Sequence, residues 1–123
     1  MNIALWIVQA LLGLMFLFAG VQKGFRPLEA IAATMAWVSS VPSALVRFIG
    51  ITELLAGIGL ILPALTGILP ALTIWAAVGL VVVMALAIAF HVSRREYSAV
   101  GINVVLLALA AFVAYGRWQV APF

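Results

Sequence analysis

Glu53 has the strongest claim to chemistry in this sequence, because it is a carboxylate inside a long apolar segment. It lies about nine residues into that segment, which on a helix places it ~13 Å deep, near the middle of a bilayer. An ionised carboxylate is costly at this depth, so it must be protonated, paired, or wetted by a cavity. We interpret Glu53 as a ligand contact or proton carrier; the alternative is a structural ion pair with Lys23 or Arg47.

Three further polar residues occur in or at the end of the other apolar segments. Lys23 ends the first segment, His91 ends the third, and Asn103 lies about five residues into the fourth. Together with Glu53, each segment therefore contributes one polar residue to a similar depth. We predict that these four residues line one pocket as ligand-binding or proton-carrying candidates.

Each of these residues also has a purely structural interpretation. Lys23 fits a cationic anchor that sets membrane topology, like the other cations of the loops. His91 fits a surface residue at a helix end, and Asn103 fits a hydrogen bond to a neighbouring backbone. The tryptophan and phenylalanine side chains are assigned mostly to the lipid face and the interfacial belts.

The composition argues against several classes of function. The chain has no cysteine and no aspartate, one histidine, and three carboxylates in all. These residues offer no tetrahedral metal set, no bis-histidine haem, no Ser-His-Asp triad and no thiol couple. We therefore expect no metal and no intrinsic cofactor, so electron chemistry would need a bound one. The net charge of +3 resides at the ends of apolar runs, which indicates membrane orientation and not nucleic-acid binding.

Four membrane-spanning helices must position the polar residues. The sequence is 68% hydrophobic and 7% charged, and a chain of this size must expose much of that apolar surface to lipid. Glycine and proline separate the apolar runs, and the apolar residues of segment 28–38 recur at helical spacing. We predict an all-α, four-transmembrane-helix bundle forming a single domain over 1–123, with a short interfacial helix between helices one and two. The predicted spans are about 3–22, 44–62, 71–90 and 98–115.

Small residues on the first two spans predict where those helices touch. Gly50 and Gly57 share a stripe with Glu53, and Gly13 and Gly20 share one with Lys23. Glycine lets helix backbones approach closely in membranes, so we interpret these four as helix-packing residues. Glu53 is therefore expected to point into the bundle.

The cations predict an orientation in the membrane. By the positive-inside rule, the more cationic loops one and three are cytoplasmic and both termini face outward. The opposite side has Arg117, with Trp118, at interface depth. Loops one and three hold five cations: Lys23, Arg26, Arg47, Arg94 and Arg95.

Three motifs resemble the DoxX-like family of small four-helix membrane proteins, and the similarity covers nearly the whole chain. The first is Ala19-Gly20-Val21-Gln22-Lys23 followed by Pro27, and the second is Gly50-x-x-Glu53-x-x-x-Gly57-x-Gly59-Leu60-Ile61-Leu62-Pro63. The third is His91 before a charged loop, with Asn103 beyond it.

The resemblance implies a four-helix bundle in a bacterial inner (plasma) membrane. It also implies an association with membrane oxidoreductases, since the family is named after a subunit linked with thiosulfate oxidation coupled to quinone. The resemblance implies that six positions are important, but it does not imply a particular reaction. These positions are Gly20, Lys23, Glu53, Gly57, His91 and Asn103. Without cysteine, a thiol-based role is not available to this chain.

Three functional hypotheses follow. The first is a redox-associated protein whose cytoplasmic-side pocket binds a small apolar molecule such as a quinone, with or without turnover, beside a membrane oxidoreductase partner. The second is a non-enzymatic scaffold or accessory subunit of a membrane complex. The third is a small proton-coupled transporter, which would work as a homo-oligomer and would normally carry its glutamate in the first helix, where this chain has Gln9.

Overall fold

The computed structural model describes residues 1–123 and contains helices but no strands. Four of the helices are long and apolar enough to cross a membrane. A short helix and a 3-10 helix, Ala36–Ser40, lie between the first two spans. The predicted four-helix membrane bundle with a short intervening helix is therefore confirmed. The α-helices are α1 (Asn2–Phe25), α2 (Leu28–Ala32), α3 (Ser43–Thr66), α4 (Ala71–Ser93) and α5 (Tyr97–Tyr115).

Helix α3 extends past the predicted end of the second span. Prediction ended it near Leu62 because Pro63 removes a backbone N–H, yet the helix continues to Thr66 and ends at Gly67. Gly67 has a φ of 74°, the left-handed conformation that favours glycine after a helix. The hairpin to α4 is thus shorter than predicted.

Helix α4 compensates for the proline inside α3, and helix α1 donates to the next carbonyl along. Pro63 cannot donate to the carbonyl of Gly59, which instead accepts a hydrogen bond from the Thr73 hydroxyl of α4 at 2.8 Å. One residue further on, the carbonyl of Leu60 accepts from the Gln9 side chain of α1, also at 2.8 Å. Polar side chains of adjacent helices therefore satisfy backbone groups that lipid could not.

Helices α1 and α3 pack with their backbones in direct contact. A Cβ at Gly20 would lie 2.5 Å from the backbone nitrogen of Leu54, and one at Gly57 would lie 2.8 Å from the carbonyl oxygen of Gly13. A Cβ at Gly50 would overlap the backbone of Gly24. This close approach brings the end of α1 beside the middle of α3.

The core lies where the four long helices meet. Large hydrophobic side chains on the outer faces, such as Phe18, Trp75 and Leu86, are exposed, as lipid-facing residues are in a membrane protein. The buried core residues are Leu12, Phe16, Leu60, Ala77, Leu80, Met84, Ala110 and Val113.

A second, smaller cluster holds the segment between α1 and α3. Ile31 and Val38 bury their side chains with Val46 from the start of α3. Trp37 packs against this cluster. The segment therefore lies over the end of the bundle where Lys23 and His91 are found.

Candidate functional site

Glu53 forms an ion pair with Lys23. The Lys23 Nζ lies 2.6 Å from Glu53 Oε1, and the two side chains are 15% and 2% exposed. Lys23 and Arg47 were the two possible partners of Glu53, and Lys23 is the one that binds it. Arg47 instead donates a hydrogen bond from Nη1 to the backbone carbonyl of Lys23 at 3.1 Å. The buried carboxylate is thus paired across the α1–α3 contact.

His91 belongs to a second network at the turn between α4 and α5. Its Nδ1 lies 2.9 Å from Glu96 Oε1, which also accepts a hydrogen bond from Arg94 Nε at 2.9 Å. The bond with His91, and then that with Arg94, holds the pKa of Glu96 below its ordinary value. Glu96 was not predicted as a site residue, because nothing in its loop position indicated that it would reach a helix end.

Trp37 connects the two networks. Its ring is edge-on to His91, with the centroids 6.2 Å apart, and edge-on to Phe90 at 5.9 Å. The Lys23 Nζ lies 5.8 Å from the centre of the same ring, within cation–π range. Trp37 therefore lies against the charged residues, and not at the lipid face or interface predicted for most of the tryptophans.

The four predicted candidates line one cavity of about 570 Å³. This cavity opens between α1 and α5, and a second cleft of about 300 Å³ opens between α3 and α4. Asn103 is the one candidate without a side-chain hydrogen bond to the protein, so its amide is free toward the cavity. Six residues are common to both openings: Lys23, Trp37, Glu53, Met84, His91 and Asn103.

A separate polar cluster occupies the other end of the bundle. Arg117, which prediction placed at the interface, is 1% exposed, and its Nε donates to Gln9 Oε1 at 2.6 Å. The prediction concerned depth in the bilayer and did not include burial, which arises because a five-residue π-helical turn, Gly116–Val120, carries the side chain inward. Neither Gln9 nor Arg117 lines the cavity around Glu53.

The chemistry open to the cavity is hydrogen bonding and proton transfer. No group of three or more His, Cys, Asp or Glu residues is arranged to hold a metal ion. The wall offers an ammonium, an imidazole, two carboxylates and an amide among mainly hydrophobic side chains. Such a wall suits an apolar molecule with a few polar atoms.

The protein is therefore a multi-pass membrane protein with four spanning helices. Its candidate binding site is a mainly apolar cavity beside an internal ion pair. Residues 7–113 match the model of the DoxX-like family, and the chain belongs to that family. No curated protein and no solved structure matches the chain.

Proposed function

We propose that this DoxX-like protein binds a quinone, or a small apolar molecule of similar shape, in the cavity around Glu53 and serves redox chemistry in the membrane. The observation that carries the proposal is the placing of Lys23, Glu53, His91 and Asn103 on the wall of one mainly apolar cavity of about 570 Å³. A volume of this size accommodates a small-molecule ligand.

Different polar residues of the cavity would bind the quinone carbonyls and supply the protons for its reduction. A quinone carbonyl accepts hydrogen bonds, and both the free Asn103 amide and the Lys23 ammonium can donate them. Two-electron reduction to the quinol also consumes two protons, and His91, with Glu96 at its Nδ1, is suited to deliver them. The electrons would come from a partner oxidoreductase, since the chain has no cysteine and no redox group of its own.

The flat ring of a quinone also suits the aromatic side of the cavity. Trp37 lines both openings, and its indole offers an apolar face beside Lys23. Both openings lie between helices, so a membrane-dissolved ligand could enter sideways from lipid. On our orientation, the site faces the cytoplasmic half of a bacterial inner membrane.

The test is retention and binding of a quinone by the purified protein. Lipids extracted from protein purified from its native membrane are analysed by mass spectrometry, and thermal melts are then recorded with a short-chain ubiquinone. We expect co-purified quinone and a raised melting temperature in the wild-type protein, and a smaller shift in Asn103→Leu, which leaves the Lys23–Glu53 pair intact. Glu29→Gln, an exposed glutamate outside the cavity, is the control that should behave as wild type.

A second candidate is a non-enzymatic scaffold, and one observation favours it. Lys23, Glu53 and His91 already have partners within the protein, so these residues can lock the bundle without a ligand. On this reading Glu53→Gln lowers the melting temperature, no quinone co-purifies, and no quinone shifts the melt. That combination of results would overturn the quinone proposal.

A further inference from the structure

Arg117 is a fully buried cation at the end of the bundle opposite the Glu53 cavity. It is 1% exposed and lies in the π-helical turn that follows α5, a rare geometry that often marks functional sites. A Cβ at the preceding Gly116 would lie 2.5 Å from Leu5 Cδ2, so the turn packs tightly against α1. The guanidinium lies against α1, where it bonds Gln9 and Asn2.

Only some of the N–H groups of Arg117 are hydrogen-bonded within the protein. A guanidinium has five N–H groups. Nε donates to Gln9 Oε1 at 2.6 Å, and Nη1 donates to Asn2 Oδ1 at 2.6 Å and to the carbonyl of Ala121 at 3.1 Å. Nη2 is buried and has no partner, which leaves both of its donors unused.

The charge of Arg117 is not neutralised within the protein. Its three acceptors are neutral amide oxygens, and it takes part in none of the ion pairs. The rings of Trp6 and Phe123 cover the guanidinium, with centroids 5.5 and 4.4 Å from Cζ, but aromatic faces carry no net charge. A buried cation without an anion is costly, so the site lacks one component.

We infer that Arg117 is the centre of a phosphate-binding site in which Nη2 donates to a phosphate oxygen, supplied by a lipid headgroup or by free phosphate. Arginine is the side chain best suited to phosphate, and Gln9 and Asn2 hold the guanidinium with Nη2 left over. The location of the site agrees with such a ligand. Asn2 begins α1 and Arg117 follows α5, so both residues lie at the ends of membrane-spanning helices, where the lipid headgroups of a bilayer are found.

The cover over the site is the short segment after the π-helical turn. Phe123 is 48% exposed although its ring lies against the guanidinium, so it can move without opening the core. Displacing this ring would expose one face of the guanidinium. The site is separate from the Glu53 cavity, so its test and the quinone test fail independently.

The experiment compares three ligands on lipid-stripped protein by native mass spectrometry. Dioleoylphosphatidylglycerol carries tails and phosphate, dioleoylglycerol carries tails alone, and inorganic phosphate carries no tails. We expect phosphatidylglycerol to bind the wild-type protein and to lose about tenfold or more in affinity in Arg117→Gln. Arg26→Gln, an exposed arginine bonded only to Gln22, should bind as wild type.

The three arms also identify the source of the phosphate. Binding of inorganic phosphate that depends on Arg117 assigns free phosphate as the ligand, whereas binding of phosphatidylglycerol alone assigns the headgroup. Equal binding of dioleoylglycerol and phosphatidylglycerol, or affinities that Arg117→Gln leaves unchanged, would overturn the inference by showing that tails or water occupy the site.

A second measurement covers the case in which Arg117→Gln does not fold. The side-chain ¹⁵N resonances of Arg117 are recorded in the wild-type protein and in Phe123→Ala as phosphatidylglycerol or phosphate is added. We expect the Nη2 resonance to shift, and to do so at lower ligand concentration in Phe123→Ala. Resonances that stay in place in both proteins would rule the site out.

Discussion

At the scale of single residues, Glu96 couples the wall of the cavity to the loop between α4 and α5. Its carboxylate binds His91 of the cavity wall and Arg94 of the loop, each at 2.9 Å. These partners favour the ionised form, the His91 bond most of all, so the pKa of Glu96 is lower in the folded protein than in the unfolded chain. The turn should therefore respond to acid.

The sign of that response follows from the lowered pKa. A depressed carboxylate pKa contributes stability above the ordinary value of 4.5 and loses it as the pH falls through the folded value. We expect the melting temperature of the wild-type protein in detergent to fall more steeply than that of Glu96→Gln as the pH is lowered below 4.5. Glu29→Gln removes an exposed carboxylate without an ion pair and should keep the wild-type slope. Equal slopes for wild type and Glu96→Gln would contradict this account.

Residues differ in how far their surroundings can be inferred from the sequence. Glu53 stands out because hydropathy makes a carboxylate in an apolar run conspicuous. Trp37 and Glu96 lie in segments whose path depends on packing, so no local pattern indicated that they would join the site. Arg117 was placed at the interface because a cation at a helix end usually lies there, and the π-helical turn that buries it has no recognised signature in the sequence.

At the scale of helices, the α1–α3 contact sets the geometry of the site. Backbones that approach this closely leave no room for a side chain at Gly20, where a Cβ would lie 2.5 Å from a backbone nitrogen. The contact holds the end of α1 beside Glu53, which keeps Lys23 within 2.6 Å of the carboxylate.

Two glycine-to-alanine substitutions should therefore act in opposite directions. Gly20→Ala forces backbone against backbone and should destabilise the protein by about 1–3 kcal/mol. Gly79→Ala, in α4, meets nothing within 4 Å and should be neutral or stabilise by up to about 1 kcal/mol through its helix propensity. Thermal or denaturant unfolding in detergent measures both. A Gly20→Ala protein as stable as Gly79→Ala would show that the two helices can separate without cost.

The presence of a helix is easier to predict from the sequence than the residue at which it ends. Length and hydropathy are local properties, so the four spans and the short helix between the first two could be predicted. The end of α3 could not, because the carbonyl of Gly59, which Pro63 leaves without its helical donor, is satisfied by Thr73 on another helix. The sequence of one segment does not show which side chains of other helices will bond to it.

At the scale of the whole molecule, charge is concentrated at one end. All three carboxylates and five of the six basic side chains lie in the α1–α3 connection, the start of α3, the α4–α5 turn, or the cavity between them. The remaining basic side chain, Arg117, is buried at the other end. By the positive-inside rule, this asymmetry predicts that the cationic end faces the cytoplasm.

Cysteine labelling tests this orientation directly, because the natural chain has no cysteine to interfere. Ser40→Cys places a thiol in the α1–α3 connection, and Ile68→Cys places one in the α3–α4 hairpin; both positions are exposed. With a membrane-impermeant maleimide on intact bacterial cells, we expect Ile68→Cys to react at once and Ser40→Cys only after permeabilisation. The reverse pattern would place the Glu53 cavity on the outer side, and protons for His91 would then have to come from outside the cell.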